Sequence, residues 1–140
     1  MELRFTARSL SAERFLEHGQ SAPGGVQVST NVNITGVKPV AGGVLVSFIT
    51  SITYSPSIAQ VAIRGDVRIS GEREKVDEIL NSHANKQPVP PMLVESILGY
   101  SIVEATAVSK TLNIPPPFPL PRIGGAGRNN KKRGDLTYVT

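Results

Sequence analysis

The period of the hydrophobic pattern changes once along the chain, at Ser70-Gly71-Glu72, and that switch limits the fold more than any other feature. Before it, four segments alternate with period 2, which places apolar side chains on one face of a strand and polar ones on the other. Leu3, Phe5 and Ala7 oppose Glu2, Arg4, Thr6 and Arg8, and over 26–37 Val26, Val28, Val32 and Ile34 oppose Gln27, Ser29, Asn31, Asn33 and Thr35. Val44, Val46, Phe48, Ile52 and Tyr54 share one face, and Val61, Ile63, Val67 and Ile69 oppose Gln60, Arg64, Asp66 and Arg68. Ala41-Gly42-Gly43 supplies a turn, and Tyr54-Ser55-Pro56-Ser57 is too short for a crossover helix, so the pattern predicts an antiparallel, half-buried sheet.

After the switch the spacing is helical. Val76, Ile79, Leu80 and His83 fall at i, i+3, i+4 and i+7, with Glu72 and Glu74 where a helix dipole favours acids. A loop through Lys86-Gln87-Pro88-Val89-Pro90 leads to Pro91, suited to the first turn of a longer helix over 91–112. Its predicted apolar stripe is Val94, Ile97, Leu98, Ile102, Ala105, Val108 and Leu112, and the apolar face of the sheet is the surface available to it. Ile114-Pro115-Pro116-Pro117-Phe118-Pro119-Leu120-Pro121 has too few amide donors for helix or sheet and is expected to lie as an extended strap anchored by Phe118 and Leu120. The predicted fold class is α+β, with four antiparallel strands followed by two helices in one domain over 1–123. A Gly-rich linker and basic tail over 124–140 complete the chain.

This order of elements resembles the family of SecB-type export chaperones. The residues that carry the likeness are Tyr54-Ser55-Pro56-Ser57-Ile58-Ala59, Val61-Ala62-Ile63-Arg64-Gly65-Asp66-Val67, and the run from Ile97 through the proline-rich strap at 115–121. The resemblance covers roughly residues 1–123. It implies a fold that offers a sheet face and helix grooves to unfolded polypeptide, normally as a dimer of dimers. Phe48, Tyr54, Ile97 and Phe118 are the candidates to line such grooves. The export chaperones are acidic, whereas here residues 1–127 hold 11 Lys and Arg against 10 Asp and Glu. A SecB-like domain with a different partner fits these charges better.

The remaining charge lies at the end. Residues 128–140 hold Arg128, Lys131, Lys132 and Arg133 against Asp135, a net of +3 within the whole chain's +4. A near-neutral body with a basic arm is the pattern of a folded domain tethered to a polyanion. Arg128, Asn129, Lys131, Lys132 and Arg133 can follow phosphates, Lys as a point charge and Arg as a bidentate donor, with Tyr138 available to stack on a base. The sequence therefore predicts a non-enzymatic protein docked on RNA by its tail, as a ribosome-associated or ribosomal component, with neighbouring proteins as further partners. Arg4, Arg8, Arg64 and Arg68 on the outward strand faces are secondary candidates. The alternative is a chaperone of unfolded polypeptides, with a homo-oligomer possible in either case.

Catalytic and cofactor patterns find little support. There is no cysteine, and His18 and His83 are too far apart in the sequence to suggest a metal site. No nucleophile elbow, phosphate-binding loop or dinucleotide fingerprint occurs, and the glycines at 124–127 precede a tail rather than a helix. Asp66, Glu72, Glu74, Asp77 and Glu78 alternate with Arg68, Arg73 and Lys75, as on a solvated face. No cofactor, no metal and no membrane contact is expected. With 39% hydrophobic and 19% charged residues, a soluble cytoplasmic protein is expected.

Overall fold

The computed structural model describes residues 1–17, 19–20 and 24–117, and the backbone of 137–138. The element order is β1 (Glu2–Arg14), β2 (Val26–Val40), β3 (Gly43–Ser55), β4 (Ala59–Ser70), α1 (Arg73–Ala84), α2 (Pro91–Leu112) and β5 (Thr137–Tyr138). The four long strands form an antiparallel sheet in the order β1-β4-β3-β2, with the two-residue β5 on the free edge of β2. Strands β2, β3 and β4 follow one another as hairpins, while β1 returns beside β4. That is a Greek-key order read from its C-terminal end. Pairing of β5 with β2 is antiparallel, Val26 opposite Tyr138 and Gln27 opposite Thr137.

Two compact units divide the chain. One comprises Met1–Ser11, Asn31–Ser51 and Ala62–Ser101. Its core is built from the inward positions of β3 and β4, Val44, Val46, Phe48, Ile63, Val67 and Ile69, together with Ile79 of α1 and Leu93 and Ile97 of α2. Removing each of these larger side chains from water contributes roughly 1.5–3 kcal/mol. The Tyr100 ring stacks on Phe5, centroids 4.6 Å apart and planes 9° from parallel, and meets Phe48 edge-on at 6.4 Å. Gly65 permits close strand approach: a Cβ there would lie 2.7 Å from the Thr6 carbonyl oxygen and 3.1 Å from the Phe48 ring.

The other unit comprises Ala12–Thr30, Ile52–Val61 and Ile102–Thr140. Val26, Val28, Ile52, Tyr54, Ile58, Ala59, Val61, Ala105 and Ile114 are its buried apolar residues. The Tyr54 hydroxyl donates to the Pro115 carbonyl at 2.6 Å, which ties the first prolines of the 115–121 run to β3. Burial pushes the Tyr54 phenol up to about 12. Arg14 Nη1 donates to the Leu112 carbonyl at 3.1 Å, a cation at a helix C-terminus where the dipole favours it. Helix α2 stops at Asn113, whose φ of 54° places it in the left-handed region. Bonds from Asn113 N–H to Lys110 and from Ile114 N–H to Ser109 satisfy the last carbonyls in a Schellman pattern.

Both helix boundaries agree with the spacing, but the stripe on α2 does not. The buried positions are Leu93, Ile97, Ser101, Ala105 and Ser109, a strict i, i+4 row, whereas Val94, Leu98, Ile102, Val108 and Leu112 are half-exposed. Counting only apolar residues missed the two serines, whose hydroxyls are satisfied by Thr50 Oγ1 and by the Thr106 carbonyl. Outward from this row, Met92 and Val103 are exposed, the latter at 67%. By length and composition α2 is apolar enough to cross a membrane, with a window of mean hydropathy 1.3. Glu95, Glu104 and Lys110 interrupt its apolar run.

Candidate nucleic-acid interface

In the unit that contains α1, a group of arginines lies on the side of the sheet opposite its core. Strand alternation turns Arg4 and Arg8 of β1 and Arg64 and Arg68 of β4 outward, and because β1 and β4 are neighbours the four arginines share one patch. All four are exposed; the side chains of Arg4 and Arg8 are accessible at 76% and 61%. Successive arginines on each strand are four residues apart, about 13 Å along the sheet.

Two acids temper the patch. Asp66, whose side chain is only 20% accessible, accepts from Arg8 Nε at 3.3 Å through Oδ2 and from Ser47 Oγ at 2.7 Å through Oδ1. This carboxylate is oriented from two neighbouring strands and holds Arg8 against the sheet. Glu2 lies 3.8 Å from Arg4, a loose and exposed pair of little energetic weight. Arg68 Nη2 donates to the Ala41 carbonyl in the β2–β3 turn. Glu2, Arg4, Gly42, Arg68 and Ser70 line a polar cleft at this end of the face. Four guanidinium groups against two carboxylates leave the patch at +2. No aromatic ring lies at the outward positions of β1 or β4 in this unit, since Phe5 points to the core side with Tyr100. The patch can bind anions through charge and bidentate hydrogen bonds, and offers no aromatic ring for stacking.

The residues expected to bind RNA through the tail, Arg128, Asn129, Lys131, Lys132 and Arg133, lie outside the described residues. Tyr138 is described only as backbone, in β5. The linker at 124–127 and the strap anchors Phe118 and Leu120 are also outside them, as is His18. Of the residues expected to line polypeptide grooves, Phe48, Tyr54 and Ile97 are core side chains, at most 3% exposed, and so form no open groove. The reason is visible in their pattern: Phe48 and Tyr54 lie on the inward parity of β3, and Ile97 lies in the buried row of α2. An apolar cleft does occur elsewhere, about 150 Å³ in volume, lined by Met1, Leu3, Ile69, Ile79, Met92 and Leu93 among others, with Lys75 and Glu78 beside it. Its position was not legible in the sequence, because it joins residues from both ends of the α1-containing unit.

Among the described residues no group of three or more His, Asp or Glu side chains could hold a metal ion. No protein-family model, curated protein or solved structure matches the chain.

Proposed function

We propose that this protein is a non-enzymatic RNA-binding protein whose basic tail docks a folded α+β body onto RNA, as a ribosome-associated or ribosomal component of the cytoplasm. The observation that carries this reading is the partition of charge: +1 over residues 1–127 and +3 over the last 13. Each Lys or Arg that meets a phosphate releases condensed counterions, so a short basic arm gains affinity without needing sequence recognition. The order of four strands and then two helices is the support for the SecB-like reading, in which the body is an adaptor and the tail sets the partner. Deleting residues 124–140 is expected to remove most of the co-sedimentation with ribosomal subunits while leaving the circular dichroism of the body unchanged. In the full chain, co-sedimentation is expected to disappear as salt is raised. Association that persists in the truncated protein and ignores salt would exclude this reading.

A second reading, a chaperone of unfolded polypeptides, draws support from the apolar cleft beside Leu3 and Ile79 and from Met92 and Val103, exposed on α2. Flexible Met side chains suit varied apolar clients. It expects the tail-less body to suppress aggregation of a denatured client, with M92Q/V103Q reducing the effect.

A further inference from the structure

The outward faces of β1 and β4 form, we infer, a second contact surface for RNA, one that takes the phosphates of a paired region through Arg4, Arg8, Arg64 and Arg68. This inference rests on the RNA-binding reading above and assigns part of the binding to the folded body.

Three observations select the partner. The first is charge: the four guanidinium groups are exposed and gathered on two adjacent strands, with only Glu2 and Asp66 against them. The second is chemistry. Guanidinium groups match phosphate oxygens bidentately, and their spacing of about 13 Å along each strand assigns them to separate phosphates. The third is the lack of outward aromatics on these strands in this unit. Single-stranded RNA is gripped largely by stacking its bases on aromatic rings, whereas a duplex hides its bases and presents backbone and 2′-hydroxyl groups. The surface is thus suited to the outside of an A-form helix.

Asp66 sets how strongly the surface binds. It is the acid nearest the centre of the row, pinned by Ser47 and occupying Arg8. A phosphate approaching Arg8 must compete with this carboxylate.

The test uses the full chain and a 24-base-pair RNA duplex of mixed sequence, with the dissociation constant measured from 50 to 300 mM salt. The variant R4Q/R8Q/R64Q/R68Q is compared with R73Q/K75Q/K86Q/K110Q, which removes the same charge from α1, α2 and the loop between them. Loss of four phosphate contacts with a duplex lowers the slope of log K against log salt by about 3.6. A drop at least 1 greater than that of the control supports the inference, and a smaller difference overturns it. R4Q/R64Q, which leaves the Asp66 pair and the Ala41 bond intact, guards against misfolding and is expected to lower the slope by about half as much. D66N is expected to tighten binding at least threefold; unchanged or weaker binding would count against the surface. Polyglutamate of equal charge is expected to compete poorly with the duplex, and equal competition would overturn the assignment to RNA. If the full chain fails to bind RNA even at 50 mM salt, the functional reading itself fails. If it binds but the face variant behaves like the control, only the surface fails.

Discussion

Ser101 of α2 donates a hydrogen bond to Thr50 of β3, Oγ to Oγ1 at 2.8 Å, with both residues fully buried. A polar pair in an otherwise apolar contact gives α2 a preferred register on the sheet, because a shifted helix would leave two buried hydroxyls without partners. S101A is expected to destabilise the fold by about 1–3 kcal/mol by orphaning Thr50. T50V/S101A is expected to recover most of that loss. A double-mutant cycle in chemical denaturation measures the coupling, and additive losses would show that the pair does not act as a unit.

Tyr54 gives the fold a dependence on alkaline pH. Burial raises its phenol, which is bonded to the Pro115 carbonyl, to about 12 from the ordinary tyrosine value of about 10. A group raised in the folded state lends stability that is complete below the unfolded pKa and disappears as pH climbs through the folded one. Between about pH 10 and 12 the unfolded chain has lost this proton and the folded chain retains it, so stability falls by about 1.4 kcal/mol per pH unit. Denaturation of the wild type and of Y54F across this range should give curves that converge as pH rises. Parallel curves would contradict this role.

Lys86 follows α1 with a φ of 58°, where an L residue costs roughly 1–2 kcal/mol. The strain is maintained by bonds from Lys86 N–H to His83 and from Gln87 N–H to Ser82. K86G relieves the strain and keeps both bonds, at some cost in unfolded-chain entropy. A net gain of about 0.5 kcal/mol in a urea titration is the expected result.

Gly65 lies where β4 meets β1. In G65A the new methyl meets backbone at Thr6 and the Phe48 ring, and the obstruction at Thr6 cannot rotate away. A loss of about 1–3 kcal/mol is expected, accompanied by faster amide exchange in β1 than in β2. Wild-type stability in G65A would mean that the two strands can separate without penalty.

Local pattern determined much of this protein. Alternation at Val44–Tyr54 and Val61–Ile69, the turn at Ala41-Gly42, and the Pro91 start of a long helix reported strands, hairpin and helix, because side-chain period is imposed by backbone geometry within a few residues. The outward parity of Arg4, Arg8, Arg64 and Arg68 was legible for the same reason, as was the concentration of basic residues at 128–133. Tertiary structure alone decided what depends on partners distant in sequence. That β1 lies beside β4, gathering two pairs of arginines into one patch, follows from strand order, which period does not encode. Ser101 and Ser109 belong to the buried row of α2 because partners exist for their hydroxyls, and hydrophobicity cannot report a hydrogen bond to Thr50. The clamp of Asp66 on Arg8 and the docking of Pro115 on Tyr54 likewise arise only when segments far apart in the chain are brought within hydrogen-bonding distance.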